Sequence, residues 1–201
     1  MKKWLPIIII LGGILLIGLY LAKVNNKLVV LDEKATAQWS NVESSYQRRA
    51  DLIPNIVNTA KGYAEFEQET LIKVTEARSK ATSINIDPSN VTPEQLAQFQ
   101  QAQQGLTSAL SRLLAVFERY PDLKANENFK ELINELERTE NRINVERNRF
   151  NEEARLFNTE VKQFPTKFFA GILGFNEKAY FKADDGTESA PEVNFDFGSD
   201  K

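Results

Sequence analysis

The chain has 201 residues and a formal net charge of −3, enough for one ordinary domain and too evenly balanced to draw in nucleic acid through its overall field. It contains no cysteine, which excludes disulfides, thiolate nucleophiles and cysteine metal sites, and no histidine, which removes the commonest general base and a leading metal ligand. Charged and apolar residues are both plentiful, while Gly and Pro are sparse inside the long periodic stretches, a composition that suits long helices.

The basic start Met1-Lys2-Lys3 is followed by an uncharged run from Leu5 to Ala22. As a helix this run is roughly 27 Å long, about the thickness of the hydrocarbon core of a bilayer. Leu5, Ile10, Leu15 and Leu21 mark its length, and Trp4 and Tyr20 stand near its ends, where amphipathic rings favour the membrane interface. Pro6 falls in the first turn, where a missing N–H costs nothing. A cleaved signal peptide would have a shorter apolar region and a small-x-small site after it. The run ends instead in Leu19-Tyr20-Leu21-Ala22-Lys23, so an uncleaved anchor over residues 1–23 is expected, with the lipid bilayer as a partner. Lys2, Lys3 and the terminal amine outweigh Lys23 and Lys27 by about one charge, which points to a body outside the cytoplasm.

From Val24 the pattern remains helical. Leu28, Leu31, Ala35, Val42, Arg49, Leu52, Ile56 and Tyr63 share one face, and Trp39, Tyr46, Ile53 and Ala60 a neighbouring one. The combined stripe is wider than a two-helix seam and fits a bundle of three or more helices. Pro54 is expected to kink or break this helix near Asp51 to Ile53, with Gly62 as a second soft point. The period resumes from Glu65 to Lys80 with Leu71, Val74 and Ala77, and a loop spans Ser83 to Pro93. Thr92, Pro93 and Gln95 make a capping box for a helix to about Arg119, with heptads at Leu96, Phe99, Gln103, Leu106, Leu110, Leu113 and Phe117.

After Tyr120-Pro121-Asp122, with Asn126 or Asp122 as cap, comes the most regular stretch of the chain. Phe129, Leu136, Ile143, Phe150, Phe157 and Phe164 recur every seven residues on one side of a long helix that stops at Pro165. Short connections make sequential helices antiparallel. An apolar, turn-rich patch follows, with Phe168, Phe169, Ile172 and Phe175 as a candidate interaction surface. A cap on the bundle end is the expected role, with the membrane surface or a neighbouring subunit as alternatives. The bundle is assigned to residues 24–181, and residues 182–201 to an acidic, mobile tail in which Val193, Phe195 and Phe197 show strand period.

Several blocks together resemble the LemA family. They are Ala37 to Glu43, Arg48 to Asn55, Lys61-Gly62-Tyr63, Tyr120 to Phe129, Glu140 to Ile143, Phe164-Pro165, Gly174-Phe175 and Tyr180-Phe181. They run in order from about Leu28 to Ala183, nearly the whole chain. The resemblance implies a single-pass protein of the bacterial inner membrane, an N-terminal span followed by an elongated antiparallel bundle of three to four long helices. It implies no established enzymatic activity.

Polar residues on these helices form the remaining candidates. Glu140, Asn144, Arg147, Asn151 and Asn158 follow steps of four, three, four and seven, a stripe beside the aromatic heptads. Arg48, Arg49 and Asp51 lie on the first helix and are expected to pair with Glu137 or Glu140. A buried network that fixes helix register is the expected role, and a polar groove for a ligand is the alternative. A di-metal carboxylate bundle uses Glu-x-x-His, so without histidine no metal or other cofactor is expected. There is no P-loop, no Gly-x-Ser-x-Gly and no Rossmann fingerprint, and no basic patch for nucleic acid. The expected function is therefore non-enzymatic: a membrane-anchored scaffold that binds unidentified membrane proteins or further copies of itself. A tethered ligand sensor is the alternative.

Overall fold

The computed structural model describes residues 4–63, 67–89 and 91–182. Among them lie six helices and no strand: α1 Leu5–Lys61, α2 Gln68–Ser83, α3 Pro93–Phe117, α4 Pro121–Ala125, α5 Glu127–Lys162 and α6 Thr166–Ala170. The fold is the all-α bundle that the periodicity predicts. The basic start, the side chain of Leu5 and the acidic stretch with Val193, Phe195 and Phe197 lie outside the described residues.

The first helix departs from expectation. It runs for 57 residues without a break, straight through Pro54. Proline at this position has no N–H to offer the carbonyl of Ala50 one turn earlier. The missing donor is replaced from outside: Arg78 Nε, on α2, donates to Ala50 O at 2.7 Å. The helix ends instead at Gly62, whose N–H bonds to Thr59 O.

Along α1 the environment changes abruptly. Its apolar residues from Ile7 to Leu19 are exposed, whereas Val24, Leu28 and Ala35 are buried. Among the described residues, α1 is the one helix long and apolar enough to cross a membrane.

Beyond that point α1 rises, α2 returns, α3 rises and α5 returns, with α4 bridging the far end. Three apolar clusters follow one another along this axis. The far cluster joins Ile53, Ile56, Leu71, Val74, Leu110, Leu113, Phe117 and Phe129 from four helices. The middle cluster centres on Trp39, with Phe99, Phe150 and Phe181 rings at 5.7, 5.2 and 5.7 Å. The near cluster joins Val24, Leu28, Phe157, Val161 and Ala170. Burying a side chain such as Phe150 stabilises the fold by roughly 1.5–3 kcal/mol relative to exposure.

Helix boundaries follow the capping chemistry. Thr92 Oγ1 accepts from Gln95 N at 3.2 Å while Gln95 Oε1 accepts from Thr92 N at 3.3 Å, the reciprocal box. Asn126 Oδ1 accepts from Phe129 N at 2.9 Å and starts α5. On α3 all seven heptad positions from Leu96 to Phe117 are buried. On α5 the heptad series is buried through Phe157, but its sixth member, Phe164, lies past the helix end and is 82% exposed.

Candidate functional site

The polar stripe of α5 divides into two groups with different partners. At its N-terminal end Glu140 meets Arg49, an arginine set in the apolar face of α1 and only 1% exposed. Arg49 Nη1 donates to Glu140 Oε1 at 2.6 Å and to Thr107 Oγ1 at 3.0 Å. Its Nη2 donates to Gln103 Oε1 at 2.5 Å, and its guanidinium lies over the Tyr46 ring at 5.1 Å. Gln103 Nε2 in turn donates to Ala81 O at 3.1 Å. One buried charge therefore ties α1 to α3 and α5, and through Gln103 to the end of α2. Its Nε is buried with no hydrogen-bond partner.

Arg48 and Asp51 stand apart from this cluster. Arg48 binds Glu135, not Glu137 or Glu140, through Nε at 2.9 Å and Nη2 at 2.5 Å. Hydrogen bonds from Arg48 and then Arg138 hold the Glu135 carboxyl below the usual carboxylate range. Asp51 is exposed and accepts from Gln47 on its own helix at 2.8 Å.

Over Arg49 and Tyr46, between α3 and α5, opens a groove of about 610 Å³. Glu140, Asn144 and Arg147 line one wall, and Gln100, Gln104 and Thr107 the other. Asn144 is exposed on that wall.

The second group holds backbone. Asn151 Nδ2 donates to Phe181 O at 2.9 Å while its Oδ1 accepts from Phe181 N at 2.8 Å. Two turns on, Asn158 repeats the arrangement with Lys178: its Nδ2 donates to the carbonyl and its Oδ1 accepts from the N–H, both at 2.8 Å. Arg147 Nη2 donates to Lys182 O at 2.7 Å, with its guanidinium over the Phe181 ring. These amides do for residues 175–182 what a neighbouring strand does in a sheet. The extended strap so held inserts Phe181 against Trp39, nearly parallel at 9°.

Two residues that the polar pattern does not single out are central here. Lys178 is buried, with Nζ 2.8 Å from Asp32 Oδ1 and 3.2 Å from Pro88 O, so it pins the strap to α1 and to the α2–α3 loop. Glu146 is buried as well and accepts from Gln38 Nε2 at 2.6 Å. Neither carries a sequence signal, since both sit among ordinary surface charges.

The aromatic patch also divides. Phe169 meets Tyr20 edge-on at 6.1 Å, and Phe175 meets Phe157 at 6.2 Å, so these two cap the near cluster. Phe168 and Ile172 point to solvent, 67% and 83% exposed. Of the anchor residues, Ile10 and Leu15 are exposed and Leu21 is half-buried.

Comparison with known proteins gives the chain its relatives. The LemA family model matches residues 38–195. Protein LemA of Metamycoplasma hominis is 30% identical over 137 residues, covering 67% of this chain and 59% of that protein. Magnetosome protein MamQ 2 of Paramagnetospirillum magneticum is 27% identical over 174 residues, 78% of this chain and 64% of its own length. Magnetosome protein MamQ of Magnetospirillum gryphiswaldense is 28% identical over 173 residues, with the same two shares. The chain thus spans less than two thirds of the length of these relatives. With the family model matched over most of its length, the chain belongs to the LemA family.

Proposed function

We propose that this LemA family protein is a membrane-tethered, non-enzymatic scaffold: a stiff helical body held at a set distance from the bilayer, its flanks open to membrane-protein partners or to further copies. The carrying observation is the continuity of α1, which passes from its exposed apolar segment into the buried wall of the bundle without a hinge. From Lys23 to Lys61 an unbroken helix rises roughly 57 Å. The setting is the inner membrane of a bacterium, with the body outside the cytoplasm, a placement supported by the charges that flank the apolar run.

Spin labels on a Lys23→Cys/Lys61→Cys variant in lipid nanodiscs test the stand-off. A narrow distance distribution centred on about 57 Å is expected; a broad or clearly shorter one sinks the rigid-staff idea. Light scattering on the full chain in detergent tests self-association, and a clean monomer removes that version. A tethered sensor is the second reading, favoured by the groove over Arg49. It requires a polar solute that raises the melting temperature of the native chain but not of a Thr107→Val/Asn144→Ala variant.

A further inference from the structure

The elbow after α5 carries a face that the bundle does not use. Thr166 and Ala170 turn inward and are buried, Leu173 packs against the near cluster, and Phe169 meets Tyr20 at its edge. Phe164, Phe168 and Ile172, four residues apart, turn outward and are 82%, 67% and 83% exposed. The Phe164 and Phe168 rings touch edge-on at 5.9 Å, so the three side chains begin one apolar stripe. The chain then reverses at Gly174, where φ is +85° and a side chain would be strained, and Phe175 N closes the turn on Ala170 O at 2.9 Å. The outward set of the stripe is therefore fixed by backbone geometry and by the buried side of α6.

Its level along the molecule identifies what it faces. Phe169, one residue from Phe168, touches Tyr20, and Tyr20 ends the exposed apolar segment of α1. The stripe thus lies beside the last turn of the candidate span and continues its apolar surface sideways. One step further into the body the surface becomes ionic: Lys27 pairs with Glu160 at 2.5 Å and Lys162 with Glu177 at 2.6 Å. Lys167 is exposed within α6, and a lysine side chain at such a level is long enough to reach phosphate. Apolar anchors, a tyrosine, a flanking lysine and then charge is the order in which a bilayer changes from hydrocarbon to water. Any occupant of this face other than lipid would have to displace the headgroups that surround α1.

We infer that the α6 elbow is a second membrane contact, in which Phe164, Phe168 and Ile172 seat in the headgroup–acyl boundary of the bilayer that α1 crosses. The inference rests on reading α1 as a span. One helix through a membrane leaves rotation about its axis and tilt free. A second contact on one side removes both, so the groove and strap are presented in a fixed direction.

The chain has no native cysteine, so single labels report cleanly. Nitroxide labels at Phe168→Cys and Ile172→Cys, in the full chain in phosphatidylcholine/phosphatidylglycerol vesicles, are compared for access to oxygen and to a water-soluble nickel chelate. Leu15→Cys serves as the reference for the span and Asn128→Cys for the far end. Expected are oxygen-favoured access at 168 and 172, at a depth of about 5–10 Å below the phosphates, a deeper position at 15 and water-like access at 128. Water-like access at 168 and 172 with 15 deep overturns the second contact and leaves the span standing. Labels at 168 and 172 closed to both reagents show that protein covers the face, and also overturn it. Water-like access at 15 removes the span, and the inference falls with it.

Discussion

Pro54 shows how a single residue's cost is met by a partner that local sequence does not reveal. Interior proline costs a helix roughly 3 kcal/mol or more, part of it the orphaned carbonyl one turn back. Arg78 reaches that carbonyl at 2.7 Å from α2, the next helix in the chain. Arg78→Met should lower stability by about 1.5–3 kcal/mol, the usual worth of a hydrogen bond with one charged partner. Combined with Pro54→Ala, which restores the N–H, the same substitution should cost much less. Thermal unfolding of the four chains of this cycle, followed by circular dichroism, gives the coupling. Equal costs in the two backgrounds would show that Arg78 acts through packing alone. Arg49 is the opposite case, where the pattern already placed an arginine in the apolar stripe of α1. The structure adds that Glu140 and Gln103 share its charge.

At the scale of elements, the helices were largely legible. Heptads on α3 and α5, the capping box at Thr92 and the cap at Asn126 all follow from short-range rules, and the structure realises each of them. The strap was not legible, because residues 175–182 have no periodicity of their own and most of the groups that hold them lie 20 to 90 residues earlier in the chain. The trace it leaves is on α5: two asparagines seven residues apart, each directly after a buried phenylalanine. Asparagine at such a place is poor for helix propensity and strong for pairing with backbone. Asn158→Leu fills the space but leaves the Lys178 N–H and C=O without that partner, at a cost of roughly 1–3 kcal/mol for each buried group. Amide exchange at Lys178 should then speed by tenfold or more while α3 stays protected. Unchanged exchange at Lys178 would mean that Phe181 and the Lys178–Asp32 pair hold the strap by themselves.

Over the whole molecule, buried contacts stack end to end in three apolar clusters, and most charge lies on the flanks as exposed pairs. This arrangement sets the response to pH. There is no histidine, so no side chain has an ordinary pKa between about 5 and 8. Three surface carboxylates are held below their ordinary value of 4.5: Glu69 by Lys73, Glu135 by Arg48 and Arg138, and Glu152 by Arg155. Each binds its proton more weakly folded than unfolded, so its contribution is fully present above pH 4.5 and is lost as pH falls below it. Lys162 has the opposite sign: Glu177 raises it above 10.5, so its contribution persists below that pH and is lost above it. The melting temperature should therefore be flat from about pH 5.5 to 8.5 and should fall at both extremes. All these pairs are open to solvent, so about 1 M salt should shrink the two falls and leave the plateau in place. A decline beginning between about pH 5.5 and 7 would contradict this account, because Glu69, Glu135 and Glu152, all held below 4.5, keep their charge there.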